Sequence, residues 1–231
     1  FFAVPMVSKK ELSDIYFMLR MDCPEIFYSV TFSYRYYADS TAVEMIPKYL
    51  FSKDKIREHR QAMESRVKKL TRQAANLNEK EKELFIHDFI AENVKYDKLK
   101  KEYSHEIIGA LGNGTAVCEG IAKAVKILCD ELNIWCIIAL SEANPDKGIK
   151  YRHAWNVVRI DGQYYHLDAT FDNTLSRNNL IRYCRTSRSS EITSRSSGRY
   201  RSAVIPIIST IKKRKSPGQR WIPCRVGQSR Q

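Results

Sequence analysis

Residues 112–134, GNGTAVCEGIAKAVKILCDELNI, and residues 151–172, YRHAWNVVRIDGQYYHLDATFD, decide how this chain is read. In the first stretch a glycine-bracketed turn, Gly112-Asn113-Gly114, precedes a helix over 118–132. Ile121, Val125, Leu128 and Leu132 recur at helical spacing and form the stripe expected to be buried. Glu119, Lys123, Lys126 and Asp130 form the stripe expected to face water. Within it, Glu119–Lys123 and Lys126–Asp130 stand at the i,i+4 separation that lets charges pair. Asn133 ends the helix, and Ile134–Ser141 reads as a buried strand. In the second stretch two strands, 151–160 and 163–169, flank Asp161-Gly162, the strongest short signal for a hairpin.

Cys118 stands where a helix begins. Unpaired N–H groups and the helix dipole favour a thiolate there. A lone cysteine is more often just a small buried residue. Cys129 and Cys136 fit that plain reading, while Cys23, Cys184 and Cys224 have no partner pattern. No two cysteines have the spacing of a zinc site or a dithiol motif. The hairpin adds the rest of the chemistry. A two-residue turn sets Ile160 opposite Gln163, Trp155 opposite Asp168 and His153 opposite Thr170. His153, Trp155 and Val157 then share a sheet face with Thr170, Asp168 and His166. His153 and Asp168 become diagonal neighbours within hydrogen-bond reach. A carboxylate on one imidazole nitrogen orients the ring and leaves the other nitrogen for a nucleophile.

These residues in this order resemble the transglutaminase-like superfamily of papain-type Cys-His-Asp proteins, and in particular its bacterial members. The resemblance runs from about Tyr96 to Asp172. MDCPEIFYSV, residues 21–30, also looks like the region preceding this domain in bacterial relatives. The resemblance implies an α+β fold with a papain-like core: a central helix carrying Cys118, packed on an antiparallel sheet carrying His153 and Asp168, with extra N-terminal helices. It implies Cys118 as nucleophile, His153 as general base and acid, and Asp168 as orienting carboxylate. Trp155 is a candidate wall of the acyl pocket, with a place in the core as the competing reading. His166 lies farther along the same face as a candidate substrate contact. Asn156 and Tyr165 point to the other face and read as structural. Asp172 is placed to fix the loop after the strand. His87 and His105 have no evident partners, and His59 falls in an exposed helix.

Outward from this core, Leu12, Ile15, Tyr16 and Leu19 predict a helix over 8–20 after a capping Ser8. The aromatic and β-branched run 26–37 reads as a strand, and 43–50 as a second strand or irregular chain. Residues 53–75 predict a long helix with Met63, Val67, Leu70 and Ala74 inward. Residues 79–94 predict another, with Phe85, Ile86, Phe89 and Ile90 inward. Between Tyr96 and Gly114 the pattern breaks into loop, and 144–150 is a polar turn. The expected organisation is an N-terminal helix and strand region over 1–75, a catalytic core over 76–183, and a basic Ser/Arg-rich tail over 184–231.

The net charge of +13 in 231 residues suggests an anion-binding protein only until it is located. Residues 184–231 carry +11 of it, and the remaining 183 residues carry +2. Residues 185–202 lack sustained apolar periodicity and cannot bury enough surface to offset their ordering entropy. Three readings stand for the tail: a disordered basic extension, a nucleic-acid or anionic-surface contact, or a shifted reading frame beyond Tyr183. Aromatic residues there are few, Tyr200 and Trp221, so stacking recognition of nucleic acid is not expected. A short patch, 203–211, interrupted by Pro206, has strand character.

The longest apolar run, 134–140, is far short of the roughly 18 residues a membrane-spanning helix needs. The opening 1–7 is apolar but is not a complete signal peptide. A chain that starts at Phe1 rather than Met reads as a fragment or processed form, with either an envelope or a cytoplasmic location open. The expected function is cysteine-dependent acyl transfer at peptide or isopeptide amides through a thioester, with protease or amidase chemistry ahead of cross-linking. The expected partner is a protein or peptide, cell-wall peptide included. No cofactor and no metal are expected, since clustered oxygen ligands for Ca²⁺ are missing. The alternatives are a non-catalytic peptide- or wall-binding module on the same fold, an arylamine acetyltransferase-like acyl carrier, and a nucleic-acid binder using the tail.

Overall fold

The computed structural model describes residues 2–38, 40–141 and 152–170, and residues 185–186 as backbone. The chain opens with β1 (Phe2–Pro5) and α1 (Lys9–Asp22), continues through β2 (Ser29–Arg35) and β3 (Ala42–Tyr49), and then forms α2 (Lys53–Thr71) and α3 (Glu79–Asn93). Ser8 and Glu11 close a capping box at the start of α1, and Asn78 and Glu81 close another at α3. The irregular stretch after α3 holds two two-residue strands, β4 (Lys95–Tyr96) and β5 (Thr115–Ala116), which pair in parallel. Then come α4 (Cys118–Glu131), β6 (Trp135–Ser141), β7 (His153–Ile160), β8 (Gln163–Leu167) and β9 (Arg185–Thr186). The architecture is α+β, with two antiparallel sheets ordered β1-β3-β2 and β6-β7-β8-β9.

α4 is the centre of the larger core. It packs against α2 and α3 on one side and β6 and β7 on the other. Ile121, Val125, Leu128 and Leu132 are buried, as their spacing predicts. Asn133 takes a left-handed conformation (φ 59°), and Ile134 N–H reaches back to the Cys129 carbonyl at 2.8 Å, a Schellman-type stop. The stripe expected to be wet is a correction. Lys123 is fully buried and Lys126 is 8% exposed. Both i,i+4 pairs form, Lys123–Glu119 at 2.8 Å and Lys126–Asp130 at 2.9 Å; the two lysines are covered, Glu119 is half-buried, and Asp130 stays exposed as expected.

Three other expectations need amendment. On α1, Leu12 and Tyr16 are buried, but Ile15 and Leu19 are exposed, and Met21 fills the inward position instead. The segment 96–114 is not simple loop: Glu102–His105 forms a 3-10 turn and Ile108–Gly112 a π-helical turn, with Ile107 and Leu111 fully buried. β9 is formed by residues the sequence assigns to the tail, and it pairs with β8 through His166–Thr186 and Leu167–Arg185. The expected turn at 144–150, Asp172, Cys184, Cys224 and the remainder of the tail lie outside the described residues. Among the described residues, no helix is long and apolar enough to cross a membrane.

Two glycines fix local geometry. Asp161 and Gly162 both have positive φ (49° and 78°), the type I′ turn that gives β7 and β8 the predicted register, Ile160–Gln163 through Asn156–Leu167. Gly120, in the first turn of α4, lies directly against the backbone of Ser104 and Glu106. A Cβ there would overlap the Ser104 carbonyl and come within 3.2 Å of the Glu106 carbonyl. Backbone cannot swing away as a side-chain tip can. Gly120→Ala is therefore expected to destabilise the fold by about 1–3 kcal/mol, measured by urea denaturation. An unchanged midpoint would mean that this contact is not tight.

Candidate active site

Cys118 is the first residue of α4 and follows an extended Val117. The chain before it is clasped from two sides. Asp97 N–H donates to the Ala116 carbonyl at 2.9 Å, and Val117 N–H donates to the Ser104 carbonyl at 3.0 Å. The Asp97 carboxylate holds its own loop by accepting from Leu99 N–H (2.9 Å), Lys101 N–H (2.9 Å) and Ser104 Oγ (2.5 Å). The close approach at Gly120 presses the first turn of the helix onto this clasp.

His153 is the first residue of β7. Its Nε2 lies 2.7 Å from Asp168 Oδ2, just past the end of β8, so the computed register does bring the pair together. That contact leaves the other ring nitrogen for Cys118, to which His153 is also hydrogen-bonded. Burial alone would raise the Cys118 thiol. The hydrogen bond from His153, backbone N–H groups of Ala154 and Glu119, and the charge of His153 outweigh burial and lower it. Burial alone would lower His153. Its hydrogen bonds to Asp168 and Cys118, and their charges, instead hold it up to about 10. The two shifts describe one coupled pair, in which the thiolate and the imidazolium favour each other.

Other residues around this pair were not legible as site residues. Tyr96 sits in β4, paired with Ala116 two residues before Cys118. Its hydroxyl is hydrogen-bonded to Cys118, and its phenol is raised by burial first and then by the Cys118 charge. A two-residue parallel bridge leaves no periodic trace, so nothing in the sequence singled out Tyr96. Beneath the first turn of α4, Lys123 Nζ bonds both Glu106 oxygens (3.0 and 2.9 Å), Glu119 (2.8 Å) and the His105 carbonyl (3.2 Å). Arg20 of α1 pairs with Glu106 and stands 3.8 Å from Glu119. His105, expected to be unpartnered, contacts Glu119 at 3.1 Å. Against the pull of burial, His105 and Lys123 hold the Glu119 carboxyl down to about 2.

The remaining candidates fall as follows. Trp155 is buried, stacks on the His153 ring and donates its indole N–H to His166 Nδ1 at 2.9 Å. Asn156 points to the opposite face and ties β7 to α4 by donating to the Ala122 carbonyl at 2.9 Å. Cys129 and Cys136 are buried, and the Cys129 thiol is pushed up by its contact with Cys136 and by burial. His87 is buried and contacts Asp88 at 3.0 Å, another partner the sequence did not suggest. His59 is half-buried against Phe51 rather than fully exposed. No group of three or more metal-ligating side chains occurs among the described residues.

Residues 64–169 match the family model of the Transglutaminase-like superfamily. Comparison with curated proteins gives no match. Among solved structures the chain is similar to a candidate cysteine protease from Cytophaga hutchinsonii, with 22% identity, 46% of this chain and 37% of that chain covered, and a TM-score of 0.39. It is similar to a TGase, with 11% identity, 86% and 55% covered, and a TM-score of 0.43. It is also similar to a candidate protease from Parabacteroides distasonis, with 16% identity, 61% and 36% covered, and a TM-score of 0.36. The chain thus spans 36–55% of the length of these solved chains.

Proposed function

We propose, on the match of residues 64–169 to the transglutaminase-like superfamily, that this protein carries out cysteine-dependent acyl transfer at peptide or isopeptide amides. The observation that carries the proposal is the line Cys118–His153–Asp168, in which a lowered thiol faces a raised imidazole held at 2.7 Å by a carboxylate. The Cys118 thiolate attacks the amide carbonyl carbon, and the carbonyl π pair moves onto oxygen. Cys118 N–H and the Tyr96 hydroxyl, which contact one another before substrate enters, are the candidate donors to that oxyanion. On collapse the C–N bond breaks, and the amine leaves with the proton of His153. The thioester remains, and His153 is now a base. It takes a proton from water, giving a carboxylic acid, or from an amine, giving a new amide. The thiolate is then released and the imidazolium restored.

Hydrolysis is the favoured second step, which makes the protein a protease or amidase, with a protein or peptide, including cell-wall peptide, as substrate. Residues 76–183 are the proposed catalytic unit, and 184–231 the proposed basic tail. The pH dependence follows from the signs of the shifts. The thiolate persists below the ordinary thiol range because Cys118 is lowered, and the imidazolium persists up to about 10. Turnover should be flat between these limits and fall on the alkaline side near 10, where His153 loses the proton it must donate. The direct test is iodoacetamide labelling of the folded full chain at neutral pH, with each thiol quantified by mass spectrometry. Cys118 should alkylate far faster than Cys129 or Cys136. Equal labelling of Cys129 would show the nucleophile to be wrongly assigned. A peptide amide that binds without ever forming an adduct on Cys118 would favour the non-catalytic binding module.

A further inference from the structure

The indole of Trp155 touches two histidines of the site, His153 and His166. Its ring lies nearly parallel to that of His153, with centroids 5.8 Å apart and planes 16° apart. This is within the range at which a cation is drawn to an aromatic ring, about 6 Å. Its N–H, a donor with no acceptor capacity, points at Nδ1 of His166, 2.9 Å away. That nitrogen must carry a lone pair, so the ring proton of His166 sits on Nε2 and His166 is neutral. The three rings form a row across β8 and β7, and its far end sets the tilt of the indole. We propose that His166 is a positioning residue for the His153 imidazolium, acting through Trp155. The inference rests on the reading of Cys118 and His153 as the reacting pair.

A protonated His166 would have a donor on each ring nitrogen. It would then face the indole N–H with another N–H, and Trp155 would lose its acceptor. Among the described residues, the titratable or charged groups on this face are Tyr164 on β8, Asp168 just past its end, and His153 and Arg159 on β7, with Cys118 at the head of α4 against His153. The β6 residues paired to this face of β7 are Trp135, Ile137, Ala139 and Ser141, and none titrates. Thr186 of β9 stands opposite His166. α4 covers the other face, where Asn156 meets Ala122. Burial lowers His166 from its ordinary 6.5, and the charge of Asp168 only partly opposes this. The row is therefore intact at neutral pH and comes apart on acidification below 6.5.

The test follows the iodoacetamide labelling rate of Cys118 against pH in the full chain, in wild type and in two variants. His166→Phe removes the acceptor. The His153 ring loses its backing, and the onset of labelling should move up toward the ordinary thiol value of about 8.5, with a roughly tenfold or larger loss of rate at neutral pH. His166→Gln keeps an acceptor that does not titrate. It should restore the low onset of labelling and remove the acid-side step that wild type shows below 6.5. Superimposable profiles for wild type and His166→Phe would overturn the inference. So would an acid step retained in His166→Gln, and that variant decides alone if His166→Phe fails to fold. A wild-type chain in which Cys118 is not the fast thiol sinks the acyl-transfer reading and takes this inference with it. A fast Cys118 indifferent to both variants removes the inference and leaves the reading standing.

Discussion

His153→Ala is expected to lower turnover of a peptide amide by a factor of about 10²–10⁴, the range associated with a positioned general acid and base. Two losses combine. The leaving amine no longer receives a proton, and the Cys118 thiol loses the hydrogen bond and the charge that hold it down. The second loss can be read separately. The onset of Cys118 alkylation should rise toward about 8.5, so that the variant still labels in alkali but hardly at neutral pH. The Asp168 carboxylate is 20% exposed and therefore able to hydrate where the imidazole is removed, so the fold should survive. A variant whose labelling profile matches wild type would show that His153 does not govern the thiol.

Lys123→Met should be the most destabilising of the charge removals. Lys123 is fully buried and bonds Glu106, whose side chain is 1% exposed. Removing Lys123 leaves the buried Glu106 with Arg20 as its remaining cation, at a cost of up to roughly 3–5 kcal/mol. Lys126→Met is the natural control, because its partner Asp130 is 46% exposed and can hydrate on its own. Its expected cost is about 1 kcal/mol or less. Urea denaturation of both variants gives the comparison. If the two midpoints shift equally, burial does not distinguish the two pairs, and Lys123 contributes only as a surface cation would. Replacing Glu106 together with Lys123 by apolar residues should recover part of the loss, since the buried carboxylate goes with its cation and Arg20 keeps Glu119 at 3.8 Å.

The contrast between these two lysines also marks how far the sequence reaches. Both have a carboxylate four residues away on one helix, and i,i+4 arithmetic treats them alike. What separates them is Glu106, on a different segment, and nothing local announces that it will fold over Lys123. The hairpin is the opposite case. Asp161-Gly162 sets a two-residue turn, and side-chain alternation then places His153 and Asp168 on one face without any knowledge of the remaining chain. Tyr96 was invisible because its position depends on a single parallel bridge. The π-helical turn at Ile108–Gly112 read as loop because it is too short to show a period. His105 and His87 looked partnerless because their neighbours are a residue across the fold and a residue next in line, and neither has a spacing rule.

Arg20 has a consequence for where this protein begins as a working object. It belongs to α1, well before residue 64, where recognisable similarity to the superfamily starts. Yet its guanidinium balances Glu106 and stands near Glu119, the residue next to the proposed nucleophile. A chain trimmed to the similar region would keep both carboxylates, Lys123 and His105, but lose Arg20, the second cation paired with Glu106. The unit that similarity delimits is therefore smaller than the unit that is electrically whole. Modularity, for this domain, ends where its charge closes, and that boundary lies in the first helix.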